Sequence, residues 1–379
     1  MFIQFALILS ILTIIFFIGE VTRKKGFDNL KISRSINKDR LLPGEEFTLT
    51  TTVENNKRLP ISFLMVSEKM PADIEFVSDR DRFKEGANLW HISKYNISWY
   101  ERKRRIYKLK CNVRGAYILR DINVTIGDLF GYSTETKRVE DFLEFLVYPK
   151  LININNVQFA NTNLQGNNYV KRWIHQDPLY IKGIREYNVE DRMKDIHWKS
   201  SLKMDRLMVK EYDFTSDREL IVIVNGQCGE PYWGCIQPVL IENGIMVGAS
   251  LASKAIKEGV PSGMWTNCQL VGAQTKIGNE VYPDINALRK IMELSARMSY
   301  SITINFSDYL RSKIKEFNLN CTYVIITPYF DEDSVAILSK LKRKGILIKV
   351  IDVSLKSTVP YISGIEKMDY KGGYRDELV

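Results

Sequence analysis

Histidine is scarce in this chain, with three in 379 residues. None stands in a His-Glu-x-x-His pair, and there is neither a Gly-x-Ser-x-Gly elbow nor a Gly-x-x-x-x-Gly-Lys phosphate loop. His175 with Asp177 and Asp195 with His197 lie close in sequence, but no nucleophile of recognisable context accompanies them. The chain therefore reads as a non-enzyme, with no catalytic residue and no cofactor. Cysteine is sparse as well. Cys111, Cys228, Cys235, Cys268 and Cys321 are odd in number, scattered and without a C-x-x-C spacing. That pattern argues against a disulfide or zinc framework and for buried, reduced thiols in a protein facing the cytosol.

The amino-terminal stretch combines a lack of charge with an apolar composition. Phe2 to Gly19 carries no ionisable side chain, and as a helix these residues would run roughly 27 Å at about 1.5 Å per residue, close to the hydrocarbon thickness of a bilayer. Arg23, Lys24 and Lys25 follow at once, so the positive-inside tendency predicts a single-pass anchor in the cell membrane with the remaining chain in the cytoplasm. A cleaved secretory signal would want a basic start and small residues at a cleavage site, and the sequence has neither. Elsewhere charge is plentiful. The net value of +9 suits anionic lipid, nucleic acid or an acidic partner without choosing among them.

From about residue 30 to 150 the apolar residues alternate. Phe47, Leu49, Thr51 and Val53 share one phase, as do Tyr107, Leu109, Cys111 and Val113, and Ile122, Val124 and Ile126. Turn residues separate these runs, and several short strands with one half-buried face predict an immunoglobulin-like β-sandwich. His91 falls inside it and reads as a solvent-facing strand residue.

After residue 216 the period changes. Leu220 to Val224 is a continuous β-branched and leucine run, expected of a strand covered on both faces. Helical stretches follow at Val239 to Lys257, Ile285 to Met298, Asp308 to Phe317 and Asp333 to Lys344, interleaved with strands at Val260 to Trp265, Tyr323 to Thr327 and Ile346 to Val353. The alternation predicts a doubly wound α/β domain over 216–356, with an unassigned polar tail over 357–379.

Between these regions lies the junction, 151–215, and its densest part is Gly183 to Tyr212. Arg185 and Tyr187 alternate and point to one face of an extended run. Asp191 suits the start of a short helix, Trp198 and Leu202 fall one turn apart, and Leu207 to Val209 reads as a return strand. Two readings stay open. The segment is a connector whose Trp198 packs inward and whose charges are solvated, or it is a recognition surface. Interleaved Glu186, Glu190, Asp191, Asp195, Asp205 and Glu211 cancel the field of Arg185, Lys194, Lys199, Lys203, Arg206 and Lys210, which favours protein over nucleic acid as partner.

At this segment the chain resembles the domain of unknown function 58 family. The matching residues are Arg185, Tyr187, Asp191, Lys194, Ile196, Trp198, Lys199, Leu207, Val209 and Lys210. Val189-Glu190-Asp191 stands where the family has Pro-Gly-Asp, and Lys194 where it has arginine. The resemblance extends to Arg114-Gly115-Ala116-Tyr117 and Asp128-Leu129-Phe130-Gly131 in the sandwich. It implies a von Willebrand factor type A-like carboxyl-terminal domain, and a MoxR-type AAA+ ATPase as partner in assembly or maturation of envelope or enzyme complexes. Where that fold holds a divalent cation the first strand is followed by Asp-x-Ser-x-Ser. Here the positions are Asn225, Gly226, Gln227, Cys228 and Gly229, so no metal is expected. The expectation from the sequence is a multidomain α+β adaptor that binds its partner through Arg185, Tyr187, Asp191, Lys194, Trp198 and Lys199. The runner-up is a membrane-tethered nucleic-acid-binding or hydrolytic protein.

Overall fold

The computed structural model describes residues 25–77, 82–85, 88–120, 122–127, 134–153, 159–160, 181–188, 191, 193–212, 219–272 and 278–370, together with Ser10, Thr13, Phe17 and Glu20. Most of the apolar stretch 2–19 lies outside these residues, as do His175 and Asp177. The chain divides after Lys150 into two compact units.

The first unit is a β-sandwich. One sheet takes β1 (Leu30–Ile36), β3 (Glu46–Asn55), β8 (Arg102–Cys111) and β5 (Ile74–Phe76) in that order. A second takes β11 (Thr134–Val139), β10 (Ile122–Gly127), β4 (Ile61–Pro71), β7 (Asn88–Ile97) and β6 (Arg82–Glu85). A third, small sheet joins β2 (Arg40–Leu41), β12 (Leu143–Val147) and β9 (Gly115–Leu119). Period-two patterning explains the layers, because opposite residues of an antiparallel pair share a face. Phe47, Leu49, Tyr107 and Leu109 meet Phe145 and Tyr117 in one cluster, while Val53 meets Leu64, Val66, Tyr95, Ile122 and Val124 in another.

His91 corrects the sequence reading. It is buried, stacked on Phe76 at 4.6 Å and edge-on to Tyr107 at 4.5 Å. Its Nδ1 lies 4.0 Å from Glu68 Oε2. Inward positions of β7 are His91, Ser93, Tyr95 and Ile97, and two polar residues in the inward phase hide the alternation. Nearby, Arg34 is fully enclosed and bound to Asp141, with Nε 2.6 Å from Oδ2.

The second unit is organised on a seven-stranded sheet. Its order is β13 (Phe159–Ala160), β23 (Glu366–Tyr370), β22 (Leu347–Asp352), β21 (Cys321–Thr327), β16 (Glu219–Val224), β17 (Ser262–Thr266) and β19 (Glu280–Asp284), and β18 (Cys268–Leu270) pairs separately with β20 (Met298–Ile302). The five inner strands run parallel and the two edges antiparallel. Helices cover both faces. Pro238–Lys257 lies over the side of Val222 and Val224, where a Cβ on Gly248 would stand 2.9 Å from Val224 Cγ2. Phe306–Lys313 and Glu332–Arg343 pack against Ile221, Ile223, Trp265 and Tyr323 on the other side. Helix Leu288–Arg297 contacts Pro238–Lys257. By length and composition Pro238–Lys257 would suffice to cross a membrane, but 78% of its apolar window is enclosed by the protein, the mark of a core helix. Two strands, β13 and β23, fall in ranges that the sequence assigns to the junction and the tail. Met368 and Tyr370 of β23 alternate with charged residues, so its apolar signal is too thin to read.

Candidate functional site

Within the second unit, residues 181–212 of the junction form a small ribbon-and-helix module. β14 (Ile181–Glu186) pairs antiparallel with β15 (Met208–Tyr212), setting Arg185 opposite Val209 and Glu186 opposite Met208. Between them run a single 3-10 turn, Met193–Asp195, and the helix Trp198–Met204. The helix therefore begins seven positions later than Asp191, where the sequence places it. His197 takes the N-cap, its Nδ1 accepting from the Ser200 amide at 3.2 Å. Ser201 fastens the helix to the ribbon, accepting from the Met208 amide at 2.9 Å and donating to the His197 carbonyl at 3.1 Å. Asp205 ends it in the left-handed region, φ 52°.

Asp191 is engaged elsewhere. Arg185 grips it with Nη1–Oδ2 at 2.6 Å and Nη2–Oδ1 at 2.5 Å, and the Asn188 amide donates to Oδ2 at 2.8 Å. The guanidinium hydrogen bonds first, then the amide, hold the Asp191 carboxyl below its ordinary range. Arg206 forms an ion pair with Glu186. Tyr187 donates its amide to the Leu207 carbonyl at 2.9 Å, and Lys194 and Lys199 are exposed. Thus Arg185 and Asp191 are brought into contact, while Lys194, Trp198 and Lys199 belong to the outer surface of the helical segment.

A ribbon and one short helix offer few enclosed positions. Ile196, Ser201, Met208 and Val209 take them. Among the described residues several large apolar side chains face outward: Trp198 is 61% exposed, Leu202 85% and Met193 68%, with Ile184, Met204 and Leu207 also exposed. Trp198 does not pack inward. Met193 and Met204 escape the sequence reading, which takes Leu207 only as part of the return strand; an apolar residue out of phase in a charge-dense run is the available signal.

The carboxyl edge of the parallel sheet is built in the opposite way. The chain leaves β16 toward β17 on one side and β21 lies on the other, which makes this the topological switch point. Asn225 is buried there. Its Nδ2 donates to Thr327 Oγ1 at 2.9 Å and to the Tyr329 carbonyl at 3.1 Å, and its Oδ1 accepts from the Gln227 amide at 2.9 Å and Asn267 Nδ2 at 3.1 Å. Asn267 Oδ1 takes the Gly226 amide at 2.9 Å, and Gln227 Oε1 takes the Phe306 amide at 2.8 Å. Asp352 accepts from the Ser354 and Val359 amides and from Lys367 Nζ at 2.9 Å. Asp331 caps the helix Glu332–Arg343 through the Ser334 amide at 3.0 Å. Among the described residues no three His, Cys, Asp or Glu side chains gather as a metal set. The five thiols are free. Cys111, Cys268 and Cys321 are buried and Cys228 and Cys235 half-buried.

No family model matches the chain. It is similar to an uncharacterized protein, YeaD, of Bacillus subtilis, at 22% identity over 241 residues. That match takes in 62% of this chain and 55% of the relative, so the chain spans about half the relative's length. Among solved structures, a type II cohesin domain of Acetivibrio cellulolyticus is 11% identical, covering 31% of this chain and 95% of its own with a TM-score of 0.24. A non-cellulosomal cohesin of Archaeoglobus fulgidus is 15% identical, covering 29% and 91% with a TM-score of 0.20. At such scores the architecture rests on the strand order and register given above.

Proposed function

We propose that this chain is a membrane-anchored, non-enzymatic adaptor of the domain of unknown function 58 kind, and that the module between β14 and β15 captures a partner protein. The observation that carries this reading is the outward apolar surface of Met193, Trp198 and Leu202 on the module that also holds the Arg185–Asp191 clamp. Tryptophan, methionine and arginine are enriched among interface anchors, and a rigid guanidinium clamp costs little further entropy when a partner covers it. Arg185, Tyr187, Asp191, Lys194, Trp198 and Lys199 form the contact in this reading. Pairing of Arg185 and Arg206 with carboxylates leaves fewer cations for phosphates, which speaks for protein over nucleic acid.

The finer architecture belongs to the same proposal: a single anchor over residues 2–19, cytoplasmic folded units, and a von Willebrand factor type A-like second unit whose cation loop has become a hydrogen-bonded fastener around Asn225. The partner is a MoxR-type AAA+ ATPase, acting in assembly or maturation of envelope or enzyme complexes. The test is a pull-down of the full chain in mild detergent beside Trp198→Ala/Arg185→Ala, with bound proteins identified by mass spectrometry. Recovery of an ATPase with the parent and its loss with a folded variant supports the adaptor. Equal recovery by both, or co-purifying nucleic acid in its place, sinks it.

A further inference from the structure

The β-sandwich carries a second feature that the adaptor reading does not use. On its five-stranded sheet, Lys69 of β4 stands opposite Trp90 of β7, and Asn123 of β10 stands opposite both Ser67 of β4 and Arg138 of β11. Directly opposed residues share a face, and Ser67 and Lys69 are two apart, so Arg138, Asn123, Lys69 and Trp90 lie on one face across four adjacent strands, roughly 14 Å at about 4.8 Å per strand gap. It is the outer face, since the intervening Glu68, His91, Ile122 and Val124 point into the sandwich. A cavity of about 720 Å³ opens there, and Arg120 and Asp73 also line it.

Its lining is chemically lopsided. Three cations face one carboxylate around a single half-buried indole. Among the described residues neither Lys69 nor Arg120 forms an ion pair or a side-chain hydrogen bond, so two of the three positive charges are unspent. Like charges gathered around one concavity raise its potential and favour an anion inside it. The indole adds a flat apolar surface, on which a planar ring stacks. A neutral sugar would use Trp90 but not the cations, and inorganic phosphate would use the cations but not Trp90. The volume lies within the range of sites for one small ligand.

We propose that this cavity binds a nucleotide, the base stacked on Trp90 and the phosphates held by Lys69, Arg120 and Arg138. A free mononucleotide and the end of a nucleic acid share that chemistry. The single indole and the one-ligand volume favour the mononucleotide.

The experiment is calorimetric titration of the full chain in mild detergent with ATP, adenosine, tripolyphosphate and a short oligodeoxyadenylate, at low and at physiological salt. ATP is expected to bind, more weakly as salt rises, and adenosine and tripolyphosphate each to bind about tenfold more weakly, the scale of one stacking or phosphate contribution. Arg120→Ala/Arg138→Ala should weaken ATP at least tenfold. Arg120→Ala alone, at an exposed unpaired position, should weaken it with circular dichroism unchanged, which separates loss of binding from loss of fold. Trp90→Ala should bring ATP down to the affinity of tripolyphosphate. No binding of ATP at millimolar concentration, or binding unaltered in these variants, overturns the proposal. Tripolyphosphate as tight as ATP removes the base from it, and an oligonucleotide bound tenfold tighter than ATP replaces the mononucleotide with nucleic acid.

Discussion

The sheet edge at Asn225 and the module at Trp198 contrast in how they leave their side chains. At the edge, where an open α/β sheet presents its ligand, both donors and both acceptor sites of the Asn225 amide are taken up by the protein itself. At the module, a segment that reads as a connector, the polar groups are paired locally and the large apolar groups face out. Location in a fold therefore says less about function than the balance of what is satisfied. The edge is structural, because its hydrogen-bonding capacity is consumed within the protein. The module has surface free because two strands and seven helical residues cannot enclose it.

The largest effect expected from this contrast is at Asn225. Asn225→Asp replaces the two Nδ2 donors by an anionic oxygen aimed at Thr327 Oγ1 and the Tyr329 carbonyl, in a buried site. Loss of two buried hydrogen bonds and burial of an unpaired charge should cost about 3–5 kcal/mol, read as a lower urea midpoint with unchanged slope. Magnesium should not restore it. Recovery in magnesium would show that the loop keeps the geometry of a cation site and would erase the contrast. Gly226→Ala is next. Its Cβ would stand 2.5 Å from Cys268 Sγ and 2.9 Å from Ile302 Cγ2, and overpacking of this kind costs about 1–3 kcal/mol. A thermal melt matching that of the parent, rather than one lowered by several degrees, would mean that the loop is slack.

The same rule is tested in the sandwich by Glu68. It is buried, Thr51 Oγ1 donates to its Oε1 at 3.1 Å, and among the described residues its Oε2 has no hydrogen-bond partner. Burial pushes its carboxyl up, against the attraction of Arg34 and His91. A raised folded value means that the folded state holds the proton more tightly, so the stability from protonated Glu68 is full below pH of about 4.5, the ordinary glutamate range, and fades as pH rises through the raised value. Glu68→Gln keeps an oxygen for Thr51 and cannot ionise. It should be more stable than the parent near neutral pH by about 1 kcal/mol, and the two should converge toward acid pH. A difference that is constant with pH would mean that Glu68 is ionised in the fold and paid for by Arg34.

Much of the frame is legible in the sequence, and the reasons for the rest are specific. Leu220 to Val224 announces a strand covered on both faces, and Phe47, Leu49 and Val53 announce one covered on a single face, because the apolar run is unbroken in the first and interrupted by Thr51 alone in the second. β23 is silent, since Met368 and Tyr370 are its only buried residues, and β13 has two residues in all. His91 misleads because an inward phase containing histidine and serine looks like an outward one. At the candidate site the residue types are legible and their directions are not. Arg185 and Asp191 are six positions apart across a turn, so no periodic pattern announces their clamp, and the outward turn of Trp198 follows from the scarcity of enclosed positions around Ser201.

The smallest effects on stability belong to the module, and they separate its two readings most sharply. Arg185→Ala removes a surface clamp and should cost no more than about 1 kcal/mol. Because the Asp191 carboxyl is held below its ordinary range, any such contribution is present above pH of about 4, the unfolded aspartate range, and disappears as pH falls through the lower folded value. Trp198→Ala should cost less still, within about 0.5 kcal/mol, since an exposed side chain leaves no cavity when it is truncated. Its effect on partner capture should be large, because a central tryptophan anchor contributes about 2 kcal/mol or more to an interface, some thirtyfold in affinity. An unfolded or strongly destabilised Trp198→Ala would assign the indole to the core of the module. An unchanged melt together with lost capture would assign it to the partner, and only that combination leaves the module and the sheet edge as opposites.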